Sequence, residues 1–198
     1  MTLAEFLPLF LFAAVSTITP GMSTTLATAS GAHFGFRRSL PLMAGISLGL
    51  ATMAVAAAAG LASLLLAQPS LQFAMKALGS LYLLWLAWKI GRSGPPHLDA
   101  KVIRPTGFLA AIGVQFQNPK GWAMTLGAAA SFAALASGPV ELATLLGLTF
   151  GVTAAVSLML WCLAGLVLAR LLRSAWQWRL LNGALGLLLA ASIVPMWL

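Results

Sequence analysis

Charged residues are scarce in this sequence. They make up 7% of the 198 residues, and only three are acidic, Glu5, Asp99 and Glu141. A soluble globular domain carries about 25% charged residues. Hydrophobic residues make up 61% of the chain. The composition therefore excludes an ordinary soluble domain and indicates an integral membrane protein.

Cysteine and histidine are also scarce. Cys162 is the single cysteine, and the two histidines are His33 and His97. One cysteine excludes both a disulfide framework and a two-cysteine redox relay within the chain. A metal site needs clustered ligands, and His97 with Asp99 in a polar linker is more typical of solvated side chains. We expect no metal and no cofactor.

Long apolar runs dominate the rest. A spanning helix needs about 20 apolar residues. Breaks that are charged or rich in proline and glycine divide the chain into six candidate spans, roughly 4–29, 41–66, 71–90, 106–130, 141–168 and 177–197. We predict one transmembrane domain over 1–198. No basic n-region precedes Phe6 and the first run is too long for an h-region, so the first helix is expected to stay in the mature protein.

The basic residues predict the topology. Nine of the eleven fall in or beside the first, third and fifth loops: Arg37, Arg38, Lys89, Arg92, Lys101, Arg104, Arg170, Arg173 and Arg179. By the positive-inside rule these loops are cytoplasmic, which places both termini in the periplasm. No aromatic-interleaved basic patch accompanies these loops, so we expect contact with anionic membrane lipids and no nucleic-acid binding.

The chain contains an internal repeat. Pro20 and Pro119 interrupt the first and fourth spans 99 residues apart, half the chain length. The span after each carries a Gly-xxx-Gly pair, Gly45 with Gly49 and Gly147 with Gly151. Repeat one covers about 1–93, a cytoplasmic linker about 94–105, and repeat two about 106–198. Because three helices per repeat is an odd number, the repeats are inverted in the membrane, as in many secondary transporters.

The predicted fold class is thus an all-α membrane protein with six transmembrane helices in two inverted three-helix repeats, helices 1 and 4 being interrupted at proline. The residues before the prolines, Thr19 and Asn118, are good N-caps, so each interruption predicts a helix stop and a new start. Two ordinary proline kinks are the alternative. Close helix packing alone explains the Gly-xxx-Gly pairs, within one chain or between chains of a homo-oligomer.

Two such breaks predict a binding site. Half-helix N-termini attract a carboxylate, and the C-terminal carbonyls of the partner half-helices suit an ammonium, so a zwitterion fits between them. Polar side chains flank the breaks, including Thr17, Thr24, Thr25 and Gln117. The candidate substrate-binding residues are Thr19, Pro20, Gly21, Met22, Ser23, Gln115, Asn118, Pro119 and Lys120.

Lys120 is a charge within a span, which is costly and marks a functional site by default. Two roles stay open: a carboxylate partner or conformational switch, and a lysine that snorkels or donates to backbone carbonyls freed by Pro119. No Asp or Glu lies in a span core. A basic amino acid is therefore disfavoured as substrate, and no carboxylate is available for proton coupling.

An enzyme is disfavoured by the same scarcity. Ser30 and His33 lie three residues apart, but no acidic residue nearby can orient the histidine. A nucleophilic site needs such a third member. We therefore expect that the chain is not an enzyme and has no catalytic residues.

The motifs resemble those of a known family. The stretches "TPGMSTTLATASGAHFGFRRSLPLMAGISLG", "LGSLYLLWLAWKI" and "FQNPKGWAMTL" are similar to signatures of the LysE/RhtB family of bacterial amino-acid exporters. The similarity runs over essentially the whole chain. Within the family, "LLWLAWKI", "AGISLG" and "WCLAG" look closest to the branch that exports cysteine and O-acetylserine.

The resemblance implies efflux of amino acids or small derivatives across the bacterial inner membrane, driven by the proton-motive force. It places the family's first motif on Thr19, Pro20 and Gly21, and its second on Asn118, Pro119 and Lys120. Met22 replaces the usual second proline of the first motif. A flexible side chain at that position puts any substrate preference carried over from relatives in doubt.

The function expected is export of small neutral amino acids by alternating access around Pro20 and Pro119. A membrane channel or a lipid- or metabolite-handling protein is the alternative, and a membrane enzyme is a more distant one.

Overall fold

The computed structural model describes residues 2–61, 106–171 and 174–191, together with positions 73, 77, 81, 84, 85, 87, 88, 91 and 92. Within these ranges the chain is helical throughout, apart from short connections, and contains no strand. The linker at about 94–105, with His97 and Asp99, lies outside the described residues, as does most of the span expected at 71–90.

The first span is broken as expected. Helix α1 covers Leu3–Ile18 and α2 covers Met22–Phe34, and the two axes differ by 55°. A capping box starts α1: the Glu5 carboxylate accepts from the Thr2 N–H at 2.7 Å, and the Thr2 hydroxyl accepts from the Glu5 N–H at 3.4 Å. The second half runs five residues beyond the expected end at 29, because Gly35 supplies the first left-handed turn, at φ +77°.

Helix α3 covers Phe36–Ala56 and continues as a π-helical turn, Ala57–Leu61. Its start was expected at Pro41. It begins five residues earlier, so Pro41 lies inside the helix at the sixth position, where its ring removes one backbone hydrogen bond without ending the helix.

The fourth expected span is also divided. Helix α4 covers Phe108–Phe116 and α5 covers Pro119–Ser131, with Gln117 and Asn118 between them. A short 3-10 turn, Ala133–Leu135, leads to α6, Pro139–Leu171, and then to α7, Ala175–Ala191. Glu141 lies in the first turn of α6, where its carboxylate accepts from the N–H and hydroxyl of Ser137 at 2.8 and 2.5 Å. Its negative charge thus lies at a helix N-terminus, where it is stabilising.

Two helices in the described part are long and apolar enough to cross a membrane, Phe36–Gly60 and Pro139–Leu171. The bent pair α1 and α2 makes a third if it counts as one span. The spans expected at 71–90 and 177–197 fall partly outside the described residues. The span expected at 106–130 consists of pieces of 9 and 13 residues, so six spans remain a prediction.

The core consists of two apolar clusters. One contains Met22 and Leu26 of α2 with Ala111 and Val114 of α4. The other contains Leu9 and Ala13 of α1 with Ala128 of α5. Helices α3 and α6 contribute to both clusters. Each broken helix thus places one half in each cluster, and the two breaks lie between them.

The Gly-xxx-Gly pairs both pack within the chain, but against different elements. A Cβ on Gly49 would lie 2.9 Å from Gln115 Cβ, so the first pair fits α3 against α4. A Cβ on Gly147 would lie 2.8 Å from Val55 Cγ2, and one on Gly151 would lie 3.3 Å from Ala51 Cβ, so the second pair fits α6 against α3. The pairs therefore have no equivalent partners, in keeping with their offset of 102 residues against 99 for the prolines.

Candidate functional site

The first break differs in detail from expectation. Thr19 was expected to cap the new helix, but it ends α1 and its hydroxyl donates back to the Val15 carbonyl at 2.6 Å. Residues before proline are steered away from helical geometry, and Thr19 is extended at ψ 132°. Gly21 is extended as well, so α2 begins only at Met22. The N-cap assignment of Thr19 is therefore wrong.

At the second break the predicted N-cap position is correct, but the side-chain capping contact is absent. Asn118 is the N-cap residue of α5 and Pro119 is its first residue, as expected. The Asn118 side chain makes no capping hydrogen bond. Instead its Nδ2 donates to Ser23 Oγ at 3.2 Å and to Gln115 Oε1 at 3.3 Å. The contacts with Ser23, at the first break, and with Gln115 thus hold the Asn118 amide away from the N-terminus of α5.

Three predicted residues join the two breaks. Ser23 Oγ donates to Gln115 Oε1 at 2.8 Å, and Asn118 Nδ2 approaches both oxygens. Gln115 is 1% exposed and Asn118 5%. Gln115 Nε2 points to Met53 Sδ at 3.8 Å, a weak acceptor. Residues more than 90 positions apart therefore form one buried polar network.

The C-terminal end of α1 is already occupied by protein donors. Lys120 Nζ donates to the Thr19 carbonyl at 2.8 Å, Ser157 Oγ to the Thr17 carbonyl at 2.9 Å, and Trp161 Nε1 to the Ile18 carbonyl at 3.1 Å. These carbonyls were expected to be unsatisfied and available to an ammonium, and that expectation is wrong for this conformation. Lys120 does donate to a freed carbonyl, but to the one before Pro20 and not to one freed by Pro119.

The N-termini of α2 and α5 at the breaks differ from the carbonyl end of α1. Neither α2 nor α5 has a side-chain hydrogen bond that caps its first turn from an N-cap residue. At the other break the Phe116 carbonyl, the last of α4, accepts from Trp122 Nε1 at 2.8 Å. Within the described helices the carbonyl ends at the breaks thus accept from side chains. At the N-terminus of α2 the Gly21 N–H donates to Thr24 Oγ1 at 2.8 Å. The N–H groups of the first turn that follows are not capped by an N-cap side chain in α2 or α5, so these ends favour an anion.

A cavity that is partly open to the outside lies at the breaks. Seven of the nine predicted residues line it: Thr19, Gly21, Met22, Ser23, Gln115, Asn118 and Lys120. Pro20 and Pro119 do not; they shape the backbone that carries the others. Thr17 and Thr24 also line the cavity, whereas Thr25 and Gln117 do not.

Comparison with known proteins decides the family. Residues 14–192 match the family model described as LysE type translocator. The chain belongs to the LysE-type translocator family. This assignment confirms the resemblance drawn from the motifs, and it identifies a multi-pass membrane protein of a translocator family, not an enzyme.

Curated relatives of this LysE-type chain are named cysteine/O-acetylserine efflux proteins. The relative from Salmonella paratyphi A is 37% identical over 107 residues, 54% of each chain. Those from Klebsiella pneumoniae and Escherichia coli O9:H4 are 36% and 35% identical over 106 residues, again 54% of each chain. The chain thus spans about half the length of the curated relatives it matches. No solved structure matches it significantly.

The cavity of the LysE-type chain also has lining residues that sequence analysis missed: Ser16, Ile46, Leu50, Met124, Ala154 and Leu158. Four of them come from α3 and α6, at four-residue spacing, 46 with 50 and 154 with 158. Such apolar positions in a spanning helix look like any other core or lipid-facing residue. Only the packing of α3 and α6 beside the breaks identifies them.

Ser30 and His33 lie away from the cavity. Ser30 Oγ shares a hydrogen bond with Ser39 Oγ at 2.7 Å, and the His33 ring packs against Trp178 with centroids 5.6 Å apart. Both residues thus bind neighbouring helices. Among the described residues, no three His, Cys, Asp or Glu side chains lie close enough together to hold a metal ion.

Proposed function

We propose that this LysE-type translocator exports small neutral amino acids or their derivatives across the bacterial inner membrane, by alternating access around the breaks at Pro20 and Pro119. The observation that carries the proposal is the cavity in which both breaks meet. It combines two helix N-termini that lack a hydrogen bond from an N-cap side chain with the amides of Gln115 and Asn118. That combination suits a carboxylate.

The other wall of the cavity limits the substrate's side chain. Met22, Ile46, Leu50, Met124 and Leu158 make it apolar. Among the described residues that line the cavity there is no Asp or Glu, so a cationic side chain would have no counter-ion from them. This supports a neutral substrate, and the relatives' names point to cysteine or O-acetylserine as the first compounds to test.

The packing of the breaks supports inverted repeats. Helix α1 shares an apolar cluster with α5, and α2 shares the other with α4. Two broken helices that cross the membrane in opposite directions produce this pairing, because the first half of one then lies level with the second half of the other. The proposed topology has both termini in the periplasm and basic loops in the cytoplasm.

Efflux of radiolabelled O-acetylserine and cysteine from cells or proteoliposomes tests the proposal, with wild type, Asn118→Ala and Lys120→Ala compared at equal protein amounts. We expect wild type to export the compound and both variants to lose most of the rate. Undiminished export by both variants would place the site elsewhere.

The energy source is tested in the same assay. If the proton-motive force drives export, an uncoupler abolishes concentrative efflux. A channel would instead let the compound equilibrate with or without the uncoupler, and a lipid- or metabolite-handling protein would leave its distribution unchanged.

A further inference from the structure

Three donors hold the last carbonyls of α1, and they are not alike. Ser157 and Trp161 are neutral, and neither lines the cavity. Lys120 is a cation, and both it and its acceptor residue Thr19 line the cavity. Of the three capped carbonyls, the Thr19 carbonyl is therefore the one at which the ammonium of a ligand can replace the ammonium of Lys120.

We propose that the Lys120 side chain occupies, at the Thr19 carbonyl, the place of the substrate's α-ammonium, which displaces it during each transport cycle. The inference rests on the proposed function. A carbonyl at a helix C-terminus carries partial negative charge. It can therefore accept a hydrogen bond from the ammonium of Lys120 or from that of the substrate. Two ammonium groups repel strongly at hydrogen-bonding distance in a site of low dielectric constant, so they alternate.

The rest of the cavity fixes the substrate's orientation. The N-termini of α2 and α5, which lack a hydrogen bond from an N-cap side chain, receive the carboxylate together with Ser23 and Asn118. The ammonium then points toward Thr19. Lys120 is thus not the carboxylate's partner but a built-in competitor of the ammonium.

Displacement of Lys120 links binding to movement. Its contact with Thr19 joins α5 to the end of α1. When the substrate takes the carbonyl, that charge-assisted bond between the two half-helices is broken, while the Ser23–Gln115 bond between α2 and α4 is not required to break. Substrate binding therefore breaks this hydrogen bond between α5 and α1. A site that did not change on binding would keep it.

The proposal restricts the substrate class to compounds with a free ammonium. A carboxylate whose amine is acylated cannot replace Lys120, because a neutral amide donor competes poorly with a charged one. Binding to purified full-length protein in nanodiscs tests this with L-serine, O-acetyl-L-serine and N-acetyl-L-serine. The last has the atoms of O-acetyl-L-serine without the ammonium.

The decisive variant is Lys120→Met, which keeps the length of the side chain and removes its charge. We expect its Kd for O-acetyl-L-serine to fall about tenfold, the worth of one charge-assisted hydrogen bond that no longer competes. Maximal efflux should drop because binding no longer releases α5. Lys120→Gln gives the same comparison if the methionine variant cannot be purified. Thr52→Val is the matched control, since Thr52 is an exposed residue of α3 whose hydroxyl donates only to its own helix, at the Leu48 carbonyl.

A Kd that rises or stays the same in both Lys120 variants would overturn the inference, because Lys120 would then assist binding or be uninvolved. Equal binding of O-acetyl-L-serine and N-acetyl-L-serine by wild type would overturn it too. Failure of the proposed function looks different: wild type would then bind neither L-serine nor O-acetyl-L-serine.

Discussion

Gly31 of α2 and Gly165 of α6 lie at a crossing where the two helix backbones touch. A Cβ on Gly31 would overlap the Cys162 carbonyl, and a Cβ on Gly165 would overlap the Thr28 carbonyl. Both clashes involve backbone atoms, which cannot move aside as a flexible side chain can. The crossing therefore fixes α2, and with it the start of the cavity, against α6.

Gly31→Ala is expected to destabilise the protein by about 1–3 kcal/mol, because overpacking at a backbone contact forces the helices apart. Thermal unfolding in detergent measures the change. Gly127→Ala is the control, since nothing lies within 4 Å of a Cβ there. Equal melting temperatures for the two variants would show that the crossing is not tight.

Trp161→Phe removes the donor to the Ile18 carbonyl while keeping an aromatic ring. We expect a loss of about 0.5–1.5 kcal/mol, the net contribution of one hydrogen bond, since the Ile18 residue is exposed. Trp176→Phe is matched to it in chemistry, and Trp176 is 70% exposed. The prediction is wrong if unfolding shifts as much in the control as in the variant.

Gln115→Leu should lower export more than Gln117→Leu, although the two glutamines are close neighbours. Gln115 accepts from both Ser23 and Asn118, and its loss leaves those buried groups without their shared acceptor. Gln117 is exposed. Efflux at equal protein amounts decides the point, and similar rates for the two variants would contradict it.

Met22→Pro restores the proline that the family's first motif usually carries. The change should be tolerated, since Met22 is the first residue of α2 and Gly21 before it is extended. It shortens a 3% exposed side chain on the cavity wall. We expect a shift in preference toward bulkier side chains, measured by competition of unlabelled amino acids with labelled efflux. An unchanged rank order would mean that Met22 does not determine selectivity.

A topology reporter checks the orientation. A periplasmic enzyme fused at the C-terminus should be active, and one fused after Arg92, in the basic third loop, should be inactive. The reverse pattern would mean that the cytoplasmic and periplasmic faces of the proposed topology are exchanged.

Both breaks could be predicted from sequence because Pro20 and Pro119 lie at matching positions in two apolar runs, each after a polar residue. Proline alone would not have been enough, since Pro8 and Pro41 lie inside continuous helices. Asn118 and Pro119 lie at the predicted helix start, and seven predicted site residues line the cavity. Thr19 failed as an N-cap because sequence rules describe single residues, whereas the restart depended on the extended backbone at Gly21.

The donors to the freed carbonyls could not be predicted. Ser157 and Trp161 come from a helix about 140 positions away in sequence, and their partners depend on how α6 packs beside α1. The sequence left two alternatives open for the role of Lys120 for the same reason, because its acceptor, Thr19, lies 101 positions away in the first broken helix.

The order of synthesis separates in time the two sides of each contact between the broken helices. The Thr19 carbonyl emerges from the ribosome 101 residues before Lys120, and the Ser23 hydroxyl 92 residues before Gln115. Until α4 and α5 have been inserted, the first broken helix waits in the membrane with exposed polar groups at its break. The first broken helix is therefore expected to need shelter from the lipid until α4 and α5 arrive.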